Sequence, residues 1–263
     1  MDITVSKTQL TGIKFRRKHL KILAATNNRH KIGEFRNILK DTGVRIISQD
    51  ELGRELPDIP EDGETFEENA KIKALGFAKF ADLTVIADDS GLEIKALDGA
   101  PGIYSARYAE TNDKRIARVL RELEGVKRGT GKSAGDNKPC RTQLEKRRLN
   151  SGKLNKIKNW KTSGQQPAAR STSSGQADDF DDRTARFVCV IALANPEKVI
   201  ATFRGEVYGR IGYEPKGSGG FGYDPVFIPD GYDKTFAELG ADIKDKISHR
   251  ANALKKLDEF LKL

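Results

Sequence analysis

Cysteine is nearly absent. Among 263 residues there are only Cys140 and Cys189, with no C-x-x-C spacing, which excludes a disulfide scaffold and a zinc ribbon. Histidine is as scarce, and His19, His30 and His249 are too scattered to suggest a zinc site. Apolar residues make up 37% of the chain. No run approaches the roughly 18 consecutive apolar positions of a transmembrane helix. The first twenty residues hold Lys14, Arg16, Arg17 and Lys18 but no apolar core, unlike a secretory signal. The expectation is a soluble protein of the reducing cytoplasm with no membrane partner.

Positive charge is present in excess, and it is local. The segment 127–180 carries 13 of the 47 Lys+Arg and 4 of the 38 Asp+Glu, which accounts for the whole net charge of +9. It is rich in Gly, Ser, Lys, Asn and Gln and poor in Val, Ile, Leu and Phe, so it reads as a mostly disordered insertion. A short helix around Gln143–Leu149 is compatible with its pattern. Two functions suit such a segment: a nucleic-acid arm with Trp160 as a stacking group, or a solvated surface insertion, which costs little in closure entropy. The second is favoured, so nucleic acid is not expected as a partner.

Outside the insertion, strand and helix patterns alternate, which predicts an α/β fold with a largely parallel or mixed sheet. Lys21–Ala25 reads as a short buried strand leading into Thr26-Asn-Asn-Arg-His-Lys31. A helix follows with Ile32, Phe35, Ile38 and Leu39 on one face, ended by Gly43. Thr65-Phe-Glu-Glu68 has capping-box spacing and opens a helix carrying Ala70, Ala74, Phe77, Ala78 and Ala81. Leu83–Ala87 reads as a buried strand that stops at Asp88-Asp89-Ser90-Gly91, with Gly91 permitting a tight turn. A helix covers about 113–123. Ala185–Ala194 and Lys198–Val207 read as a hairpin. The last helix places Ile247, Ala251, Leu254, Leu257 and Leu261 on one stripe.

Two glycine motifs are decoys. Gly129-Thr-Gly131-Lys132-Ser133 looks like the tail of a phosphate loop, but Val126 stands where the first glycine is required and no strand precedes it. Gly217-Ser-Gly-Gly-Phe-Gly222 matches G-x-G-x-x-G, but Asp224-Pro225 and an apolar run follow it, which indicates a strand rather than a helix.

Three constellations carry chemistry. Thr26, Asn28 and Lys31 at a helix start fit an anion cradle, although Asn28 fits an ordinary N-cap equally well. Asp88-Asp89 after an apolar strand are costly unless solvated, paired or metal-bound, and alternation sends only one of them into a shared site. Hard oxygen donors without clustered Cys or His imply Mg²⁺ or Mn²⁺. Phe221 and Tyr223 offer a flat face for a base, or simply anchor their loop. His249 lies off the apolar stripe of the last helix, which leaves a site role and a surface role both open. Carboxylates for a metal, cations for phosphates and an aromatic loop for a base together fit a metal-assisted nucleotide hydrolase.

Six strings occur in order: 25–31 (ATNNRHK), 65–70 (TFEENA), 87–92 (ADDSGL), 99–108 (GAPGIYSARY), 219–225 (GGFGYDP) and 247–250 (ISHR). They resemble the inosine triphosphate pyrophosphatase family over 21–126 and 181–263. The resemblance implies a single nucleotide pyrophosphatase domain in those two stretches, behind a polar extension at 1–20 and interrupted by the insertion at 127–180. It implies two α/β lobes around a substrate cleft, a homodimer, and Mg²⁺-dependent hydrolysis of ITP, dITP or XTP to the monophosphate and pyrophosphate. By position, Thr26, Asn27, Asn28, Arg29, His30 and Lys31 would bind the triphosphate and Lys73 would add a cation. Glu61 and Asp89 would hold the metal, Asp89 would also act as general base, and Ser90 would flank it. Phe221, Gly222, Tyr223, Asp224, Lys244, His249 and Arg250 would enclose base and sugar. Every motif lies outside the insertion, so the fold is expected to survive it. A related pyrophosphatase of modified pyrimidine nucleotides is the alternative enzymatic reading.

Overall fold

The computed structural model describes residues 21–53, 55, 57–127 and 183–262. The extension before Lys21, the motif at Gly129, the helix at Gln143–Leu149, Cys140 and Trp160 lie outside the described residues. Those described form a six-stranded mixed sheet with helices, as the alternating pattern predicts.

The strands are β1 (Lys21–Ala24), β2 (Arg45–Ile47), β3 (Thr84–Ile94), β4 (Thr184–Ala194), β5 (Val199–Ile211) and β6 (Phe227–Pro229). The helices are α1 (Arg29–Ile38), α2 (Gln49–Leu52), α3 (Phe66–Ala81), α4 (Asn112–Lys127), α5 (Phe236–Leu239), α6 (Ala241–Ile247) and α7 (His249–Lys262). Across the sheet the order is β2-β1-β3-β4-β5-β6. β1 runs parallel to β2 and β3, and every pair from β3 onward is antiparallel.

Strand β1 sits between the strand that follows it and the strand reached through α3. The chain therefore reverses its direction of travel across the sheet at the carboxyl end of β1, a position where open α/β sheets bind ligands. Only Thr84, Val85 and Ile86 of β3 pair with β1, so β3 continues past the end of its neighbour.

Alternation along the strands divides the core. On one face Ile86, Cys189, Ile191 and Leu193 pack against Ile32 and Phe35 of α1 and Ala253, Leu254 and Leu257 of α7. On the other, Leu23, Val85, Ala87, Val188 and Val190 meet the Ala70, Ala74, Phe77 and Ala78 stripe of α3. Small residues at three- and four-residue spacing let α3 lie close to the sheet. A third cluster joins Leu92 and Ile94 to Ile116, Val119 and Leu123 of α4 and to Phe187, Phe227 and Phe236.

Four expectations need correction. β3 does not stop at Asp88; it pairs with β4 without interruption from Val85 to Ile94, so the aspartates lie mid-strand. Strand pairing overrides the poor strand propensity of Asp and Gly. Gly91 accordingly makes no turn. It lets the helical turn Gly102–Arg107 cross β3, since a Cβ there would lie 2.4 Å from the Gly102 carbonyl oxygen and 2.7 Å from Ser105 Oγ. The Thr65 hydroxyl accepts the Glu68 N–H at 3.1 Å, but the Glu68 carboxylate accepts from the Glu64 N–H, so only half a capping box forms. Ile247 belongs to α6 rather than to the last helix, because extended backbone at Ser248 separates α6 from α7.

Gly91→Ala is expected to destabilise the fold by about 1–3 kcal/mol, the usual cost of overpacking. The urea midpoint should fall with little change in slope; an unchanged midpoint would refute the close crossing.

Candidate active site

The site forms where β1 ends. Ala25 continues the ladder for one bond, its N–H donating to the Ile86 carbonyl at 2.9 Å, and the chain then turns into α1. Asn28 is the N-cap of α1: its side-chain oxygen accepts the N–H groups of His30 at 3.0 Å and Lys31 at 3.4 Å. Thr26 Oγ1 accepts the Asn28 N–H at 3.2 Å. The N-cap reading of Asn28 is thus realised, and two of the amides expected to cradle an anion are already satisfied. Thr26, Asn27 and the Lys31 ammonium are what this loop presents to a cleft of about 250 Å³, which Glu61, Lys73 and Asp88 also line. Arg29 is exposed.

Asp88 and Asp89 point to opposite faces of β3, as alternation requires. On the α1–α7 face, Asp88 is 3% exposed. Its carboxylate meets Lys31 Nζ at 2.9 Å, the Ser90 hydroxyl at 2.8 Å, and Arg250 Nε and Nη2 at 3.4 Å each. Arg250, from the first turn of α7, donates from Nη1 to Glu34 of α1 at 2.6 Å. Burial pushes the Asp88 carboxyl up, but Lys31, Arg250 and Lys73 outweigh it and hold the group well below the usual carboxylate range.

The α3 face differs. Asn69 and Lys73 stand four residues apart, on one side of the helix. Asn69 donates to Asp89 Oδ2 at 3.3 Å and accepts the Gly63 N–H at 2.9 Å, tying the segment before α3 to the strand. Lys73 Nζ lies 3.4 Å from Asp89 Oδ1, 3.3 Å from Glu61 Oε2 and 2.7 Å from the Asp88 carbonyl oxygen. Glu61 and Asp89 therefore converge on one cationic point. Asp89 is not among the residues lining the cleft, whereas Lys73, which holds it, is. Burial, with Glu61 and Asp88 nearby, raises the Asp89 carboxyl above its ordinary value despite Lys73. Asn69 and Glu34 were not singled out from sequence; the signals for Asn69 were its place in the string 65–70 and a polar residue on the buried side of an apolar helix.

The aromatic loop forms a second group beside the first. Gly220 (φ 73°) and Gly222 (φ 65°) fold it so that Asp224 Oδ2 accepts the Phe221 N–H at 2.8 Å. A Cβ on Gly220 would lie 2.1 Å from that same oxygen, so glycine is required there. Lys244 of α6 pairs with Asp224 at 2.5 Å and sets its Nζ 4.2 Å from the Phe221 ring centre. His30 stacks on Phe221 at 5.8 Å, and the Arg250 guanidinium lies 5.6 Å from the ring, which connects the loop to the carboxylate cluster.

Two readings that the sequence left open narrow here. Tyr223 is not a free face for a base: it is buried in the third core and donates from its hydroxyl to the Ser105 carbonyl at 3.0 Å. His249 is no surface residue. Its ring stacks on Phe187 at 4.8 Å, and its Nδ1 has no hydrogen-bond partner among the described residues. Burial, reinforced by Arg250 and Lys244, drives its pKa far down, so the imidazole is neutral at pH 7.

Asp88→Asn should cost about 3–5 kcal/mol at pH 7, because Arg250 and Lys31 would lose a buried counter-charge. A carboxyl depressed in the folded state contributes its full stability above the unfolded value of ~3.9 and loses it as pH falls below that. The difference between wild type and variant, read from urea midpoints, should therefore shrink below about pH 4; a difference independent of pH would refute the assignment.

A family model described as the Ham1 family matches residues 22–135 and 155–260. The chain is 39% identical over 244 residues to a protein named dITP/XTP pyrophosphatase from Oceanobacillus iheyensis, covering 92% of this chain and 98% of that one. It is also 39% identical over 242 residues to the protein of that name from Bacillus subtilis, covering 91% and 96%. Among solved structures, a HAM1 protein from Coxiella burnetii superposes with a TM-score of 0.67 at 35% identity, over 92% of this chain and 98% of that one. The Staphylococcus aureus Ham1 protein gives 0.64 at 36% identity, with the same coverage. The resemblance drawn from the six strings is thereby borne out, and the chain belongs to the Ham1 family.

Proposed function

We propose that this protein hydrolyses non-standard purine nucleoside triphosphates (ITP, dITP and XTP) to the monophosphate and pyrophosphate, clearing them from the nucleotide pool. The observation that carries the reading is the convergence of Glu61 and Asp89 on one cationic point at a strand-end cleft that Thr26 and Lys31 also line. The names of the relatives support the same chemistry.

The donor set fits a hard divalent cation. Both groups are carboxylates, which are hard oxygen donors, and they are a pair: no group of three or more His, Cys, Asp or Glu that could hold a metal occurs among the described residues. Glu61 and Asp89 would hold Mg²⁺, or Mn²⁺ in its place, with substrate and water supplying the remaining oxygens. When bound, the metal would neutralise charge on the phosphates and make an attacking water more acidic.

The protein's own groups do the rest. Asp89 takes the proton of the attacking water, as a carboxylate within hydrogen-bond reach of it can. Thr26 and Lys31 face the phosphates, with Asn27, Asn28, Arg29 and His30 shaping the loop. Asp88 fixes Lys31 and Arg250, and Ser90 supports Asp88. Phe221 carries the flat face of the purine, and Gly222, Asp224 and Lys244 set the position of that ring. Neutral His249 and Arg250 address the 6-oxo edge. A donor aimed at an oxo group is left unpaired by the amino group of adenine, which penalises ATP.

The stretches 21–126 and 181–263 would act as one catalytic domain, with the third core as its second lobe and the insertion 127–180 apart from the chemistry. The family match skips 136–154, inside that insertion, and includes its flanks at 127–135 and 155–180. A homodimer follows from the family resemblance. A cytoplasmic setting agrees with the buried free thiol of Cys189, which burial pushes up to about 12, and no described helix is long and apolar enough to cross a membrane.

Purified protein with Mg²⁺ should release pyrophosphate from ITP, dITP and XTP much faster than from ATP, GTP or modified pyrimidine triphosphates. Equal rates across that panel would defeat the specificity. Asp89→Asn should lower kcat by about 100-fold or more with the fold retained by circular dichroism; full activity in that variant would defeat the mechanism.

A further inference from the structure

Lys73 is fully engaged. An ammonium has three donors, and three acceptors surround this one: the Asp88 carbonyl at 2.7 Å, Glu61 at 3.3 Å and Asp89 at 3.4 Å. No donor remains for a phosphate oxygen. Two other cations of the site, Lys31 and Arg250, are held by Asp88 on the opposite face of β3, and Lys244 is held by Asp224. Among the described residues, Lys73 is the cation paired with both Glu61 and Asp89.

We propose that Lys73 is a resident counter-cation that holds the Glu61–Asp89 pair in the metal-free protein and vacates it when a divalent metal binds, which releases the ammonium toward the triphosphate. The proposal rests on the reading of Glu61 and Asp89 as metal ligands. The charges favour the exchange. Two carboxylates balance one ammonium with a single charge left over, and a dication added beside Lys73 would leave the point overcharged. Like charges about 4 Å apart repel strongly at any effective dielectric found inside proteins. The anchor of the side chain stays still, because Ala70 and Ala74 on the same helix are fully buried against the sheet. The flexible four-carbon stem beyond Cα lets the ammonium swing away without moving the helix. Its side chain is 13% exposed and borders the cleft, so the swing leads into the space the phosphates would occupy. Lys73 is a positioning residue in one state and a phosphate ligand in the other.

The test titrates Mn²⁺ alone into the full chain without nucleotide, with free Mn²⁺ followed by electron paramagnetic resonance. Lys73→Met removes the competing charge while keeping the apolar stem, and should bind Mn²⁺ about 10-fold tighter than wild type. Lys73→Arg keeps the charge and should bind no tighter than wild type. Equal or weaker Mn²⁺ binding by Lys73→Met would overturn the proposal. A second measurement needs no variant: reductive methylation of the wild-type protein, mapped by mass spectrometry, should modify Lys73 faster with Mg²⁺ than without it. An unchanged or slower rate would overturn the proposal as well. Pyrophosphate release from ITP is scored separately. Hydrolysis without the affinity change removes only the exchange, and the affinity change without hydrolysis removes only the enzymatic reading.

Discussion

Two consecutive aspartates in the middle of a paired strand impose a constraint on everything around them. Because β3 pairs with β4 through Asp88 and Asp89 without a break, their side chains must leave on opposite faces of the sheet. Each is buried, and a buried carboxylate is tolerated only with partners. Both helical layers therefore have to deliver cations to the same level of one strand. One layer supplies Lys31 from α1 and Arg250 from α7; the other supplies Lys73 from α3. The short β1 is the second half of the constraint, for its end at Ala24 opens the space in which these groups meet.

The two carboxylates are made unlike by their company. Asp88 is outnumbered by cations and remains ionised, a fixed structural anion. Asp89 shares one lysine with Glu61 and is raised instead. Neighbours in sequence with the same chemistry thus sit in opposite settings, one dominated by cations and the other by burial and a second carboxylate.

Much of this was legible in the residues. The spacing of Ile32 and Phe35, the alanine stripe of α3 and the hairpin around Asn195-Pro196 identify their elements, because local periodicity and turn chemistry agree with the final packing. The run through Asp88-Asp89-Ser90-Gly91 was not legible as a strand. All the evidence for it is non-local, in β4, beyond the long basic segment. The same reason hid Glu34, whose partner Arg250 lies 216 residues away. The burial of Tyr223 and His249 was not legible, because a Gly-rich loop and a first helical turn carry no periodicity to show what is buried. The motif strings survived these errors: they mark which side chains matter without saying what each one touches.

Arg250 lies at the junction of α1, β3, α7 and the aromatic loop with 1% of its surface exposed. Burial works against its charge, yet Asp88 and Glu34 push its pKa up beyond the already high value of a free guanidinium. No alkalinity compatible with a folded protein will discharge it. Its positive charge is therefore a permanent fixture of this centre, around which the carboxylates must be arranged.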